Sequence, residues 1–346
     1  MRTTDVFIRG LGVYLPDSVS IDWAVAQGLF PADQVGVQGW TGAAIAGDVP
    51  APEMGLQAAQ HALKRGGWQA DDVDLLLYAN SWHQGPDGWQ PQYHLQRHLL
   101  GGRPLSVQLQ HGCNGMFSAF ELGASYLLAD EQRRAALLVS SDNWGTPMIN
   151  RWHPGPGLMM GDAACAVLLT REPGFARLLS VCSITVPEAE EVHRAGEPMF
   201  PPGVTVGRAM DLHARSQRFR EQIMAGQGDP AALLKVQQTM LLSVEQSLAE
   251  AGITAADVTR VAFMNMSQEA INDRGTAALG LRPEQTTWDF GRTVGHMGAS
   301  DQVMSFEHLV DSGRLGAGDH MLLVGVGPGI NLSAAVIEVV DTPPWK

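Results

Sequence analysis

Ala62-Leu63-Lys64-Arg65-Gly66-Gly67-Trp68-Gln69-Ala70-Asp71-Asp72-Val73-Asp74-Leu75-Leu76-Leu77 reads as a helix end, a glycine turn and a buried strand. Ser247-Leu248-Ala249-Glu250-Ala251-Gly252-Ile253-Thr254-Ala255-Ala256-Asp257-Val258-Thr259-Arg260-Val261-Ala262 reads the same way. Leu63 matches Leu248, Gly67 matches Gly252, Ala70 matches Ala255, and Asp72-Val73 matches Asp257-Val258, an offset of 185 residues (63 to 248). Further on, Gly112-Cys113-Asn114-Gly115 lines up with Gly295-His296-Met297-Gly298 at an offset of 183 (113 to 296). Leu138-Val139 lines up with Leu323-Val324, again at 185 (138 to 323). A nearly constant offset over three separate elements means that two half-chains share one plan: helix, strand, glycine-rich turn, helix, strand.

The remaining elements extend that plan. Short apolar runs at Asp74–Tyr78, Ala135–Ser140, Ala163–Thr170, Val258–Phe263, Met321–Gly325 and Ser333–Val340 predict strands. They alternate with helical patterns at Pro52–Arg65, Gly115–Ala129, Pro230–Ala251 and Ser300–Asp311. Such alternation predicts an α/β chain whose mostly parallel or mixed sheet is covered on both faces. Pro230 suits a helix start, where its missing N–H costs little. The division expected is an N-terminal half, 1–175, and a C-terminal half, 176–346. Residues 187–229, rich in Pro, Gly, Met and charge, show little periodicity and are expected to form an irregular insertion that caps a pocket. Gly85–Pro91 is a second such loop.

Composition narrows the function. Of 346 residues, 45% are hydrophobic and 17% charged, which describes a globular chain with much buried surface. A net charge of −13, from 23 Lys and Arg against 36 Asp and Glu, argues against nucleic acid, whose phosphates need a basic footprint. Cys113, Cys165 and Cys182 are too few and too irregularly spaced for a disulfide framework or a zinc cluster, so no metal is expected. Cys165 and Cys182 read as small buried hydrophobes. No apolar signal region and no membrane-length run is present, so a cytoplasmic protein with no membrane partner is expected.

Two duplicated halves with a Gly-Cys turn at a helix start resemble the thiolase superfamily. More closely, the chain resembles β-ketoacyl-acyl carrier protein synthase III. Four segments in order carry the likeness. Ile8-Arg9-Gly10-Leu11-Gly12-Val13-Tyr14-Leu15-Pro16 is similar to the family's first strand and turn. Gln108-Leu109-Gln110-His111-Gly112-Cys113-Asn114-Gly115 resembles the nucleophile segment. Met160-Gly161-Asp162-Ala163-Ala164-Cys165-Ala166 resembles its Gly-Asp-Gly-Ala strand entry. Gly325-Val326-Gly327-Pro328-Gly329 resembles the C-terminal glycine loop. The resemblance implies the duplicated αβαβα five-layer thiolase-like fold, a homodimer, and a thioester of coenzyme A or acyl carrier protein as substrate, with no further cofactor.

The departures are informative. Where the family has its active-site His, this chain has Asn265, in Phe263-Met264-Asn265-Met266-Ser267-Gln268. Where the family has its Asn, this chain has His296, in Gly295-His296-Met297-Gly298-Ala299-Ser300-Asp301. A family Arg used for coenzyme A has no clear counterpart near Thr41-Gly42. This pattern resembles an offshoot of antibiotic biosynthesis that includes acyltransferases acting on sugar or other hydroxyls, and a priming synthase. That group pairs the nucleophile with a His and with an Asp five residues later, here His296 and Asp301.

The chemistry fits those residue types. Cys113, at a helix N-terminus, meets the positive end of the dipole, as a nucleophile requires. His296 is the candidate base, and Asp301 the carboxylate that orients it. Asn265 is a candidate donor to a substrate carbonyl. The oxyanion site is expected to use the Cys113 N–H, with Gly327 as second candidate; Pro328 has no N–H to give. His193 is expected near the pocket mouth, a role that only the resemblance suggests. The acceptor is a small molecule, and the leading reading is acyl transfer to oxygen. The alternatives are decarboxylative condensation with a malonyl thioester, which Asn265 and His296 together could support, and a non-catalytic partner subunit, against which the intact Cys113 argues.

Overall fold

The structure is a computed structural model that describes residues 1–145 and 149–346, the side chains at 273 and 274 excepted. Its strands are β1 (Phe7–Tyr14), β2 (Ser18–Ser20), β3 (Gly42–Ala44), β4 (Leu75–Ala79), β5 (Leu105–Leu109), β6 (Ala135–Asp142), β7 (Ala163–Thr170), β8 (Ala176–Thr185), β9 (Val258–Phe263), β10 (His320–Gly327) and β11 (Asn331–Val339). Apart from the β2–β3 ribbon, they run in the order β5-β4-β6-β7-β1-β8-β11-β10-β9. β4 is parallel to β5 and β6, while β6–β7 and β7–β1 are antiparallel. The second half repeats the scheme: β9–β10 is parallel, and β10–β11 and β11–β8 are antiparallel. An isolated parallel bridge, Val261 to Thr286, stands where the counterpart of β5 would pair. β1 pairs with β8 at Phe7–Arg177 and Ile8–Ala176, and the chain before it runs on along β8 through the Arg2–Ser180 bridge. This palindromic order is what a pseudo-two-fold axis between duplicated halves produces.

Side-chain alternation builds the layers. Leu76 and Tyr78 point to one face of β4, where they join Leu137, Val139 and Leu168 under the helix Ala51–Gly66. Leu75 and Leu77 point to the other face, towards the middle of the molecule. Val261, Phe263, Leu322 and Val336 likewise pack on the helix Ala232–Ala251. The helices Gly115–Leu128 and Asp301–Asp311 fill the middle with Met116, Phe117, Phe120, Met304, Phe306 and Leu309. The result is helix, sheet, helix, sheet, helix: the α/β five-layer fold that the resemblance implied. Because both faces are covered, β6 and β7 are buried at every position, which is why they read as apolar runs over 135–139 and 163–169.

Two features differ from expectation. The edge strand β5 and the alternating strand β8 lie outside the predicted strands. And the segment 187–229 is not wholly irregular. It contains the helix Leu212–Met224, started by Asp211, whose carboxylate accepts the Ala214 N–H at 2.8 Å. That helix buries only Phe219, so its apolar periodicity is faint. No described helix is long and apolar enough to cross a membrane.

Phe306 is 1% exposed in the middle layer and stacks on Phe175 with ring centroids 6.0 Å apart. Phe306→Ala should cost about 3–5 kcal/mol, the range for an aromatic cavity in a core. Urea unfolding would show it as a lower midpoint at unchanged slope.

Candidate active site

The duplicated turns bring together two residues 183 positions apart. β5 leads into the short turn Gly112–Asn114, which opens the helix Gly115–Leu128. Gly112 is left-handed (φ 53°), and a Cβ there would lie 2.4 Å from the Pro328 ring. The equivalent turn carries His296 into the helix Asp301–Asp311. Two backbone bonds pin it: the His296 N–H donates to Met159 O at 2.6 Å, and Gly161 N–H donates to His296 O at 2.9 Å.

The sulfur of half-buried Cys113 lies 3.0 Å from His296 Nε2. On the far side of the ring, Nδ1 lies 2.6 Å from Asp301 Oδ2. His296 is 1% exposed and Asp301 fully buried. The carboxylate also accepts the Met297 N–H at 2.7 Å and the Asn265 N–H at 2.7 Å. A buried anion needs such donors to offset its lost hydration. Burial alone would push the His296 imidazole down, but the Asp301 carboxylate and then the Cys113 sulfur outweigh it. The group is held well above its ordinary value. A protonated ring offers its Nε2–H to the sulfur.

The other candidates fall out differently. Asn265 does not face the thiol. Its amide nitrogen donates to Gly295 O at 2.8 Å and to Asp301 Oδ1 at 3.3 Å, and its oxygen lies against Gly291, where a Cβ would come within 2.4 Å. The expectation of a substrate-facing donor is corrected: Asn265, 1% exposed, braces Asp301 from behind. Gly327 ends β10 against Asn114, and Pro328 covers Gly112, so the glycine loop forms a roof over the nucleophile turn. His193 lines a cavity of about 500 Å³ with Pro328, Gly329 and Arg215. Burial first, and then Arg215, hold its imidazole below the ordinary value. A second cavity, of about 620 Å³, is walled by Trp82, Met210, Arg208 and Arg218. Residues of the 187–229 segment line both. Among the described residues no cluster of His, Cys, Asp and Glu could hold a metal ion.

Asp142 was missed. It ends β6, fully buried, and accepts the N–H groups of Ser81 at 2.8 Å and Trp82 at 3.2 Å. Gly298 (φ 63°) packs on it so closely that a Cβ would lie 2.2 Å from Oδ2. Burial pushes its carboxyl up to about 7, against the pull of those N–H groups and of His296. The one signal in the sequence is the polar close Ser140-Ser141-Asp142 of a strand whose first five residues are apolar.

A five-layer duplicated fold with a cysteine turn facing a histidine turn across the axis defines a thiolase-superfamily protein of the ketoacyl synthase III type. Residues 107–185 match the family 3-oxoacyl-[acyl-carrier-protein (ACP)] synthase III, and residues 248–339 match its C-terminal family. The chain is 53% identical to ChlB3, an acyltransferase of solved structure, over 99% of this chain and 100% of that one, with a TM-score of 0.93. It is 24% identical to β-ketoacyl-[acyl-carrier-protein] synthase III of Acidiphilium cryptum, over 96% of this chain and 98% of that one. The 3-oxoacyl-[acyl-carrier-protein] synthase III of Aquifex aeolicus, 18% identical, superposes with a TM-score of 0.76 over 96% of this chain and 99% of that one, a likeness of fold. The chain therefore belongs to the 3-oxoacyl-[acyl-carrier-protein] synthase III family of enzymes.

A carboxyl raised to about 7 keeps its proton in the fold where the unfolded chain has lost it. The stability that Asp142 contributes is complete below about pH 4 and is lost as pH rises through about 7. Asp142→Asn, which imitates the protonated form, should therefore gain on the wild type between about pH 4 and pH 8, by up to about 4 kcal/mol. Urea denaturation of both proteins across that range reads the difference; a gap independent of pH contradicts it.

Proposed function

We propose that the chain is an acyltransferase that takes an acyl group from an acyl-CoA or acyl-carrier-protein thioester onto Cys113 and passes it to a hydroxyl of a specialised metabolite, such as a sugar. The observation that carries this reading is the continuous line Cys113–His296–Asp301, with contacts of 3.0 and 2.6 Å. No cofactor beyond the thioester is needed, and the working unit is proposed to be a homodimer.

In the first half-reaction the Cys113 sulfur adds to the thioester carbonyl. The Cys113 N–H, at a helix start with no intrahelical acceptor, is placed to receive the oxyanion. Collapse breaks the old C–S bond, and the departing thiolate takes the Nε2 proton of His296. In the second half-reaction the acceptor oxygen adds to the Cys113 thioester while its proton passes to the now neutral Nε2. Collapse releases the ester, and the Cys113 sulfur leaves as thiolate beside the imidazolium. Acylation removes the upward pull of the sulfur on His296 and leaves that of Asp301. The ring thus becomes easier to deprotonate in the state that needs a base.

Condensation is the weaker reading, because it calls for two donors at the malonyl thioester carbonyl. Asn265, the second donor the sequence offered, spends its amide on Gly295 and Asp301. The 53% identity to a protein named as an acyltransferase supports transfer as well.

Intact-mass screening of acyl thioesters should add one acyl group to the wild type and none to Cys113→Ala. A hydroxyl acceptor should then remove it as an ester. Carbon dioxide release with a β-keto product from malonyl thioester would overturn the transferase reading. Asp301→Asn should slow turnover by roughly 10²–10⁴-fold, the effect of losing the carboxylate behind a catalytic histidine. Rate measurements at saturating donor check it.

A further inference from the structure

We propose that Asn114 is a positioning residue that fixes Cys113 opposite His296 by tying the nucleophile turn to the second half of the chain, and that Gly325 and Gly327 form the socket that admits it. The proposal rests on the acyl-enzyme reading above and concerns how its geometry is held.

Cys113 and His296 come from different halves, so their 3.0 Å contact depends on the register between those halves. The sheets pair across the halves at two β1–β8 positions and, before β1, at the Arg2–Ser180 bridge. Asn114 is the residue beside the nucleophile and is fully buried. Its amide nitrogen crosses to β11, where it donates to Asn331 O at 3.0 Å, Asn331 Oδ1 at 2.8 Å and Ser333 Oγ at 3.1 Å. These acceptors are themselves held. Ser333 Oγ bonds Asn331 Oδ1 at 2.8 Å and Ser183 Oγ at 2.9 Å, and Asn331 Nδ2 donates to Thr185 Oγ1 at 3.0 Å. A ladder of polar side chains thus runs from the Cys113 turn across β11 to β8.

The strand opposite is cut to fit. A Cβ on Gly325 would stand 2.5 Å from Asn114 Oδ1, and one on Gly327 would stand 3.1 Å from Asn114 Cβ. Any larger residue at either place pushes against Asn114. At Gly325 the Phe117 ring crowds the same space, 2.4 Å from such a Cβ, so that glycine admits both Phe117 and Asn114, while the Cβ contacts at Gly327 are to Asn114.

The duplication supplies an internal control. Met297 occupies the place of Asn114 in the partner turn, and it is apolar and fully buried. The turn and the helix after it therefore form without a polar side chain here. Burying an amide costs free energy where a bond is missing, and Asn114 Oδ1 has no hydrogen-bond partner among the described residues, so the Nδ2 bonds alone offset that cost. The bonds that are made link the two halves beside the thiol.

The test is single-turnover acylation of Asn114→Ala with an acyl thioester, followed by intact mass, with iodoacetamide as a second probe that needs no transferase activity. The rate constant at saturating thioester should fall at least tenfold. The half-saturating concentration and the final stoichiometry should match wild type, and iodoacetamide should modify Cys113 more slowly. An unchanged rate constant with a reduced amplitude would mean that Asn114 only supports folding, and would overturn the proposal. Should Asn114→Ala fail to fold, Ser333→Ala removes one acceptor, and an unchanged acylation rate there overturns it equally. If wild type forms no acyl adduct, the acyl-enzyme reading fails, and iodoacetamide alone decides Asn114: equal rates in wild type and variant refute the anchor.

Discussion

The contact between Cys113 and His296 spans the seam between two half-chains, and the architecture behind it serves to hold that seam. Neither residue lies within the regular part of an element. Cys113 sits between β5 and the helix Gly115–Leu128, and His296 between the helix Trp288–Val294 and the helix Asp301–Asp311. Phe117, Phe120, Phe306 and Leu309 of the two following helices share the core of the middle layer. Burying such side chains is worth roughly 1.5–3 kcal/mol each. No single polar bond at the site approaches the sum. Apolar packing therefore sets the coarse approach of the halves. Short hydrogen bonds, such as His296 N–H to Met159 O and the Asn114 ladder, refine it to the ångström that proton transfer demands.

Within that frame the buried charges are arranged economically. A protonated imidazole and a carboxylate taken together from water incur a heavy desolvation cost. Here the carboxylate is met by the ring and by the N–H groups of Met297 and Asn265, so its oxygens are occupied. Asn265 extends this with a side-chain bond to Asp301. The exchange of His and Asn relative to the family pattern therefore changes more than position. The Asn265 amide lies on the far side of the carboxylate from the thiol, where it acts as a brace.

Parts of this were legible in the sequence for definite reasons. Strands covered on both faces show apolar runs, as β6 does over 135–139, and a duplicated chain repeats that signature at a fixed offset. The glycines of the two turns repeat with it, and that repeat alone pairs Cys113 with His296. β5 was hidden because an edge strand has less to bury, and the helix Leu212–Met224 because Phe219 alone faces inwards. Asn265 was placed at the right strand end but facing the wrong way, since register gives a position and not a side-chain direction. Asp142 and Asn114 left almost no trace. Their roles depend on what approaches them, Gly298 in one case and Gly325 in the other, from far along the chain.

The choice between oxygen and carbon as acceptor turns on the same carboxylate. A histidine that only polarises a thioester carbonyl works as a neutral donor and gains nothing from an anion behind it. A histidine that must accept a proton from an alcohol, whose pKa lies far above its own, gains directly, because the anion stabilises the imidazolium as it forms. Asp301 raises His296, and the half-buried sulfur in front adds to that effect only until it is acylated. In the proposed mechanism the free enzyme holds a proton for the departing thiolate, and acylation makes the ring easier to deprotonate, which leaves Nε2 open to the acceptor's proton. On that mechanism a single imidazole serves both half-reactions, because covalent occupation of Cys113 removes one of the two groups that hold the ring above its ordinary value.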